Sequence, residues 1–417
     1  MTFDPAFFTE TLGQADPAVR AAIDGELDRQ RDQIELIASE NTVSRASLEA
    51  LGSVMVIKTV EGYPGKRYYG GAEYADALET LAIERAKELF GCAFANVQPH
   101  SGSQANQAVY LALMQPGETL MGMALSAGGH LSHGAKPNLT GKWLNAVPYG
   151  VRRQDGLIDY DALATLAAEH RPQVIVAGGS AYPRRLDWPA LRRIADDAGS
   201  YLVADIAHFA GLVAAGVVPS PFPHADVVTT TTYKNLRGVR GGVILSNDAA
   251  LAKKIDSAVF PGIQGSVMLN TVAAKAVCLG EALKPEFTDY AHQVLANAEA
   301  LAAALLARDI DLVSGGTEMP MVLVDLRRRG ITGAEASDSL EDAGLTCNKN
   351  AVPFDEQPPQ VTSGLRLGVS AGTARGFGAD EFTAIGHLIA DVLDGNSDGV
   401  RDRVGEMCRR FPIYPEP

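Results

Sequence analysis

Thr229-Thr-Thr-Thr-Tyr-Lys-Asn-Leu-Arg-Gly-Val-Arg-Gly-Gly242 sets one lysine, Lys234, between a β-branched run and an Arg/Gly-rich turn. The run begins in Ala225-Asp-Val-Val228, and the threonines stiffen its end. The glycines that follow let the backbone come close to a flat or anionic group. A lysine fixed at a strand end, partly desolvated and near other cations, has the lowered pKa that a Schiff-base lysine needs. Taken alone, the stretch fits an ordinary surface lysine after a strand better.

Outward from this stretch, short apolar runs alternate with helical patterns. The runs are Phe94–Gln98, Thr119–Met123, Val174–Ala177, Tyr201–Ala204, Val227–Thr230 and Val243–Leu245. Helices are predicted near Ala75–Phe90, Ser103–Met114, Tyr160–Glu169 and Pro189–Ala198. This alternation predicts an α/β fold with a mostly parallel, helix-covered sheet. Ligands of such sheets sit at the carboxyl ends of the strands. An acidic amphipathic helix from Pro17 to about Ile37 reads as an N-terminal arm that packs on something, often a second subunit. Glu61 to Gly71, rich in Gly, Pro and Tyr, reads as a loop, and the tail after Pro412 as irregular. A helix near Asp289–Ala307 leads to a second strand-and-helix region with Met321–Leu326 and Leu365–Val369. The expected division is an arm over 1–40, a large domain over 41–280 and a smaller C-terminal α+β domain over 281–417.

The chain has 417 residues, 46% hydrophobic and 21% charged, which suits a soluble α/β protein of more than one domain. Its net charge of −14 argues against nucleic acid or an anionic membrane as the main partner. Arg237 and Arg240 are local basic spots able to hold small anions. Four cysteines without paired spacing give no zinc or redox motif, so no metal is expected, and they suit a reducing compartment. The segment MTFDPAFFTE lacks a secretory pattern, and no apolar stretch reaches membrane-spanning length. The expected setting is the cytoplasm.

Three further motifs bear on chemistry. His100-Ser-Gly-Ser-Gln-Ala-Asn106 follows a strand and opens a helix, where free N–H groups and the dipole attract an anion. Ser and Gly are also ordinary helix caps. Asp205, after the strand Tyr201–Ala204, is placed to hold a protonated ring nitrogen, or simply to cap a helix. His130, in Gly128-Gly-His-Leu-Ser-His133, is placed to stack on a planar ligand, or is structural. An anion site, a strand-end acid, a loop histidine and a strand-end lysine, in that order, are together the parts of a pyridoxal-phosphate site.

Along nearly its full length the chain resembles the serine hydroxymethyltransferase family. The resemblance rests on Leu36-Ile-Ala-Ser-Glu-Asn41, Glu61-Gly-Tyr-Pro-Gly-Lys-Arg-Tyr-Tyr-Gly-Gly71, the segment 96–106, Gly128-Gly-His-Leu131, Ala207-His-Phe-Ala-Gly-Leu-Val-Ala-Ala-Gly216, the lysine stretch and Val361-Thr-Ser-Gly-Leu-Arg-Leu-Gly368. It implies the aspartate-aminotransferase-like fold type I, with a mainly parallel seven-stranded sheet. It also implies a homodimer with shared active sites, leaving open whether dimers pair into tetramers. By matched motif, Lys234 would carry pyridoxal 5'-phosphate. Ser101, Gly102 and Ser103 would hold its phosphate, with Gly265 of a partner chain. Asp205 would pair with the pyridine nitrogen, His208 and Ser180 would contact the ring oxygen, and His130 would stack on the ring. Arg366 and Ser39 would bind the substrate carboxylate. Glu61 would handle the proton of the leaving hydroxymethyl group, with Tyr69 beside it. Tyr68, Leu125, Leu131 and Asn350 would contact tetrahydrofolate, the co-substrate that accepts the one-carbon unit.

The chain departs from the family pattern near this chemistry. Tyr233, a cofactor contact, stands where the family usually has histidine. Thr59 replaces an active-site tyrosine, Gln264-Gly-Ser-Val267 replaces Gln-Gly-Gly-Pro, and Ser126-Ala127 replaces Ala-His. Losing a ring at Thr59 leaves volume that substrate can fill, and an α-methyl group is the smallest addition to a serine-like substrate. The expectation is therefore an enzyme that accepts 2-methylserine and alanine as well as, or instead of, serine and glycine. The alternatives are ordinary serine hydroxymethyltransferase, a folate-independent β-hydroxy amino acid aldolase or transaldolase, and a non-catalytic protein keeping the same fold.

Overall fold

Runs of β-branched and apolar residues too short for helices build the central sheet. In the computed structural model, which describes residues 5–415, these are β1 (Phe94–Asn96), β2 (Thr119–Met123), β3 (Asn145–Tyr149), β4 (Val174–Ala177), β5 (Tyr201–Asp205), β6 (Val227–Thr231) and β7 (Gly242–Ser246). Residues 1–4 of the expected arm and 416–417 of the expected C-terminal domain lie outside the described residues. The strand order is β1-β7-β6-β5-β4-β2-β3. Pairs from β6 through β3 are parallel, whereas β7 runs antiparallel to both β6 and β1.

Every residue of β4, β6 and β7 is buried, as a sheet covered on both faces requires. The alternation of side chains divides the core in two. Val174, Val176, Val203 and Val227 pack with Ala105, Ala108 and Val109 of α1 (Gly102–Leu113). Ile175, Ala177, Leu202 and Val228 face the opposite layer, where α2 (Trp188–Ala198) contributes Leu191 and Ile194.

The seventh strand, β3, is not among the apolar runs that predict the sheet. Pro148 interrupts its pattern, yet β3 pairs only with β2, and an edge strand tolerates proline. The N-terminal helix is shorter than expected and spans Pro17–Asp32. Gln33 turns extended, and Ile34–Glu35 then pairs in parallel with Leu345–Thr346. The Glu61–Gly71 loop contains a small hairpin, Gly62–Tyr63 with Lys66–Arg67.

Helix α3 (Leu269–Ala282) and the long helix α4 (Pro285–Ala307) flank a break at Leu283–Lys284. Beyond it lies an antiparallel four-stranded sheet: β8 (Asp311–Leu312), β9 (Met321–Asp325), β10 (Asn348–Asn350) and β11 (Gly364–Gly368), in the order β8-β9-β11-β10. Among the described residues no helix is long and apolar enough to cross a membrane.

Candidate active site

β5 and β6 are parallel neighbours, so Asp205 and the segment after Thr231 emerge at the same edge of the sheet. The turn beyond β6 closes on itself: Thr232 Oγ1 donates to the Val239 carbonyl at 2.6 Å, and the Gly238 N–H to the Thr232 carbonyl at 2.8 Å. Asn41 Nδ2 donates to the Lys234 carbonyl at 2.8 Å and ties the turn to the N-terminal segment. Lys234 is buried. Burial pushes its ammonium down to about 8, helped by Arg366 and Arg240 and opposed by Asp205.

Asp205 lies deeper. Its Oδ2 accepts from Asn106 Nδ2 at 2.8 Å and sits 2.9 Å from His133 Nε2, while Oδ1 accepts from the Ala207 N–H at 3.1 Å. Burial alone would raise this carboxyl. The hydrogen bond from His133, the two neighbouring imidazoles and the Asn106 amide outweigh it and hold the group far below the usual carboxylate range. Asn106 also donates to Ser132 Oγ at 2.9 Å, and Ser132 Oγ lies 2.7 Å from His130 Nδ1. One amide therefore ties the acid to the imidazole expected to stack on the ring. Burial lowers His130 to about 4, so its ring is neutral at pH 7.

The N-terminus of α1 points into the same cleft, lined by Ser101, Gly102 and Ser103 together with Lys234 and Asp205. Ser101 caps the helix by accepting from the Gln104 N–H. A Cβ on Gly102 would stand 2.6 Å from Thr231 Cγ2, so only glycine fits. Thr231 Oγ1 and His208 Nδ1 are buried here without a hydrogen-bond partner among the described residues. Orphaned polar atoms beside a free helix N-terminus, an ionised acid and a buried amine fit a phosphorylated aromatic aldehyde.

A wider opening continues the cleft and brings in Ser39, Leu125, Leu131, Asn350 and Arg366, with His130, Ser180 and Tyr233 shared. Arg366, on β11, donates to the Ser180 carbonyl at 2.8 Å and to Asn348 Oδ1 at 3.2 Å. Both acceptors are uncharged, and burial lowers the guanidinium to about 10. A cation placed in this way suits an incoming carboxylate. Arg240 lies 4.5 Å over the Tyr233 ring.

Five expected site residues are elsewhere. Thr59, Glu61, Tyr68, Tyr69 and Gly265 lie on a separate surface of the chain, where Tyr68 packs edge-on against Phe260, Val60 bonds Ser266, and Glu61 approaches Gly265. Tyr68 is 76% exposed there. Asn106, Ser132 and His133 lie within or next to the motifs quoted above without being marked by them; their role depends on the fold gathering them around Asp205. Thr231, at the end of β6, is likewise unmarked in the sequence.

A family model described as serine hydroxymethyltransferase matches residues 12–389. Proteins named serine hydroxymethyltransferase are similar over 98% of both chains: one from Rhodospirillum centenum at 62% identity and one from Paramagnetospirillum magneticum at 60%. A protein from Rhodospirillum rubrum named serine hydroxymethyltransferase 2 is 59% identical.

Proposed function

The chain belongs to the serine hydroxymethyltransferase family, and from that premise we propose that its cleft moves the hydroxymethyl group of serine to tetrahydrofolate, with glycine as the other product. Pyridoxal 5'-phosphate is the family's cofactor and tetrahydrofolate its co-substrate, and the fold is type I. The observation that carries the residue roles is a buried amine, Lys234 in the turn after β6, lining one cleft with an ionised acid, Asp205 at the end of the adjacent strand β5.

When bound, the cofactor supplies an electron-poor ring that accepts the electron pair released at the substrate's α-carbon. Lys234, neutral in part at pH 7, attaches it. Asp205, ionised in this cleft, would pair with the ring nitrogen and favour its protonated form. The N–H groups at the start of α1 and the Ser101 and Ser103 hydroxyls take the phosphate. Arg366 and Ser39 receive the substrate carboxylate and so orient the bond to be broken. Leu125, Leu131 and Asn350 line the wider opening, where folate enters.

Glu61, Tyr69, Thr59, Tyr68 and Gly265 serve the site of a second copy in a homodimer. Support comes from the exposure of Tyr68 and Tyr69, and of Val54, Val56 and Ile57 a few residues before Thr59, large side chains that a second copy would cover. In that arrangement Glu61 handles the proton of the departing hydroxymethyl group. The setting we assign is cytoplasmic, in keeping with four free cysteines.

Acceptance of 2-methylserine is a second reading, favoured by Thr59 standing where the family pattern has a tyrosine. The relatives' names favour serine as the principal substrate. Turnover of L-serine and of 2-methylserine, each with and without tetrahydrofolate, separates these readings. Folate-dependent turnover of serine is expected, with slower turnover of 2-methylserine. Turnover of neither substrate would remove the hydroxymethyltransferase reading. Cleavage independent of folate would favour an aldolase, and no trace of 2-methylserine turnover would end the second reading alone.

A further inference from the structure

One buried cation takes no part in the chemistry above. Lys275, on α3, is 1% exposed, and its Nζ donates to the carbonyls of Val97 at 2.7 Å, Pro99 at 2.9 Å and Gly242 at 2.9 Å. All three ammonium donors are thereby used. Val97 and Pro99 belong to the non-strand link from β1 into the Ser101 turn, and Gly242 opens β7. The two segments meet closely: the Gly242 N–H donates to the Pro99 carbonyl at 2.9 Å, and a Cβ on Gly242 would lie 2.4 Å from the Ser101 carbonyl oxygen.

A neutral strap would suffice to hold this link. Gln264 already provides one, accepting from the His100 N–H at 3.1 Å and donating to the Gln98 carbonyl at 3.0 Å. A buried ammonium held only by dipoles is costly. Among the described residues the carboxylate acting on it is Glu79, which is ion-paired with Arg67. A charge retained at that cost directly behind an anion-binding turn points to the anion.

We propose that Lys275 is a positioning residue for the cofactor phosphate: its ammonium fixes the backbone that leads into the Ser101–Ser103 turn and places a positive charge behind it. This rests on the reading that the chain binds pyridoxal 5'-phosphate in this cleft. In the chain without that anion, burial pushes Lys275 down to about 7, with Glu79 resisting. The charged groups around it are Glu79 and Arg85 on the helix Glu73–Phe90, Arg67 on the hairpin and His100 on the link. Arg85 is engaged with the Ala276 carbonyl, and His100 is itself lowered, by burial first and by Lys275 second. A phosphate dianion favours the ammonium, so its binding takes up a proton. The affinity contributed by the phosphate therefore falls as pH rises above 7.

The test compares pyridoxal 5'-phosphate with pyridoxal, which lacks the phosphate. Dissociation constants for both are measured by absorbance on the full chain and on Lys275→Met. Lys275→Met is expected to weaken the phosphorylated ligand by roughly tenfold or more while leaving pyridoxal nearly unchanged. Equal weakening of both ligands, or of neither, overturns the proposal. Should Lys275→Met fail to fold, the wild-type chain decides: the ratio of the two affinities should fall between pH 7 and pH 9, and a flat ratio overturns the proposal. A wild-type chain that captures neither ligand overturns the cofactor reading beneath it as well.

Discussion

Lys234 and Asp205 reach their charge states by opposite balances. Burial wins at the lysine and lowers it to about 8, whereas hydrogen bonds win at the acid. Only the neutral amine attacks an aldehyde. At saturating cofactor the rate of its capture should climb with pH up to about 8 and level above it; a flat profile by stopped-flow absorbance would contradict the assignment. Asp205→Asn keeps the shape and removes the charge, and should lower turnover on the order of a hundredfold or more, a magnitude typical of one electrostatic contact at a reacting centre. The folded acid titrates below its unfolded value, so its stabilising effect is present above about pH 4 and is lost as pH falls. The stability gap between wild type and Asp205→Asn should therefore narrow on acidification, as read from denaturant midpoints. Lys234 and Asp205 were legible in the sequence because each ends a strand before a polar segment. Arg366 and Ser39 were legible only by family resemblance, since some 130 residues or more separate each from Lys234 and nothing local marks their meeting. His133 stayed hidden because its importance depends on which nitrogen meets Asp205, a matter of folding rather than spacing.

Helix α1 shows how an element makes a site. Its first residues leave N–H groups free, and Gly102 lets the turn lie against Thr231. Gly102→Ala forces a methyl group into that contact, and should cost about 1–3 kcal/mol by overpacking. Cofactor affinity should fall with it, as checked by denaturation and by titration of the apoprotein. Unchanged stability and affinity would show that the turn can shift aside. Most strands were legible because fully buried parallel strands read as continuous apolar runs. β3 was not, since its proline breaks the run and its place at the edge makes that break harmless. The N-terminal helix was read too long because Ile34 and Leu36 continue its apolar pattern. Both are buried, but as extended backbone paired with or beside Leu345.

The residues to which we assign chemistry lie on two surfaces of the chain. The cleft gathers Lys234, Asp205, Arg366 and the phosphate turn, while Glu61, Tyr69 and Gly265 stand on a face where Val54 and Ile57 are each 78% exposed. A homodimer that shares its sites makes a sharp prediction for complementation. Lys234→Ala and Glu61→Gln should each be inactive, yet after mixed refolding should regain about a quarter of wild-type activity, because half of the dimers are hybrids with one intact site. No recovery would mean that Glu61 serves its own chain or that the chain acts alone. The attachment of the cofactor to Lys234 underlies all of these outcomes. Borohydride reduction of the cofactor-loaded protein followed by peptide mass mapping tests that attachment directly. A single pyridoxyl group on the peptide containing Lys234 is expected; its presence on another lysine such as Lys275 or Lys349, or its absence, would contradict the assignment.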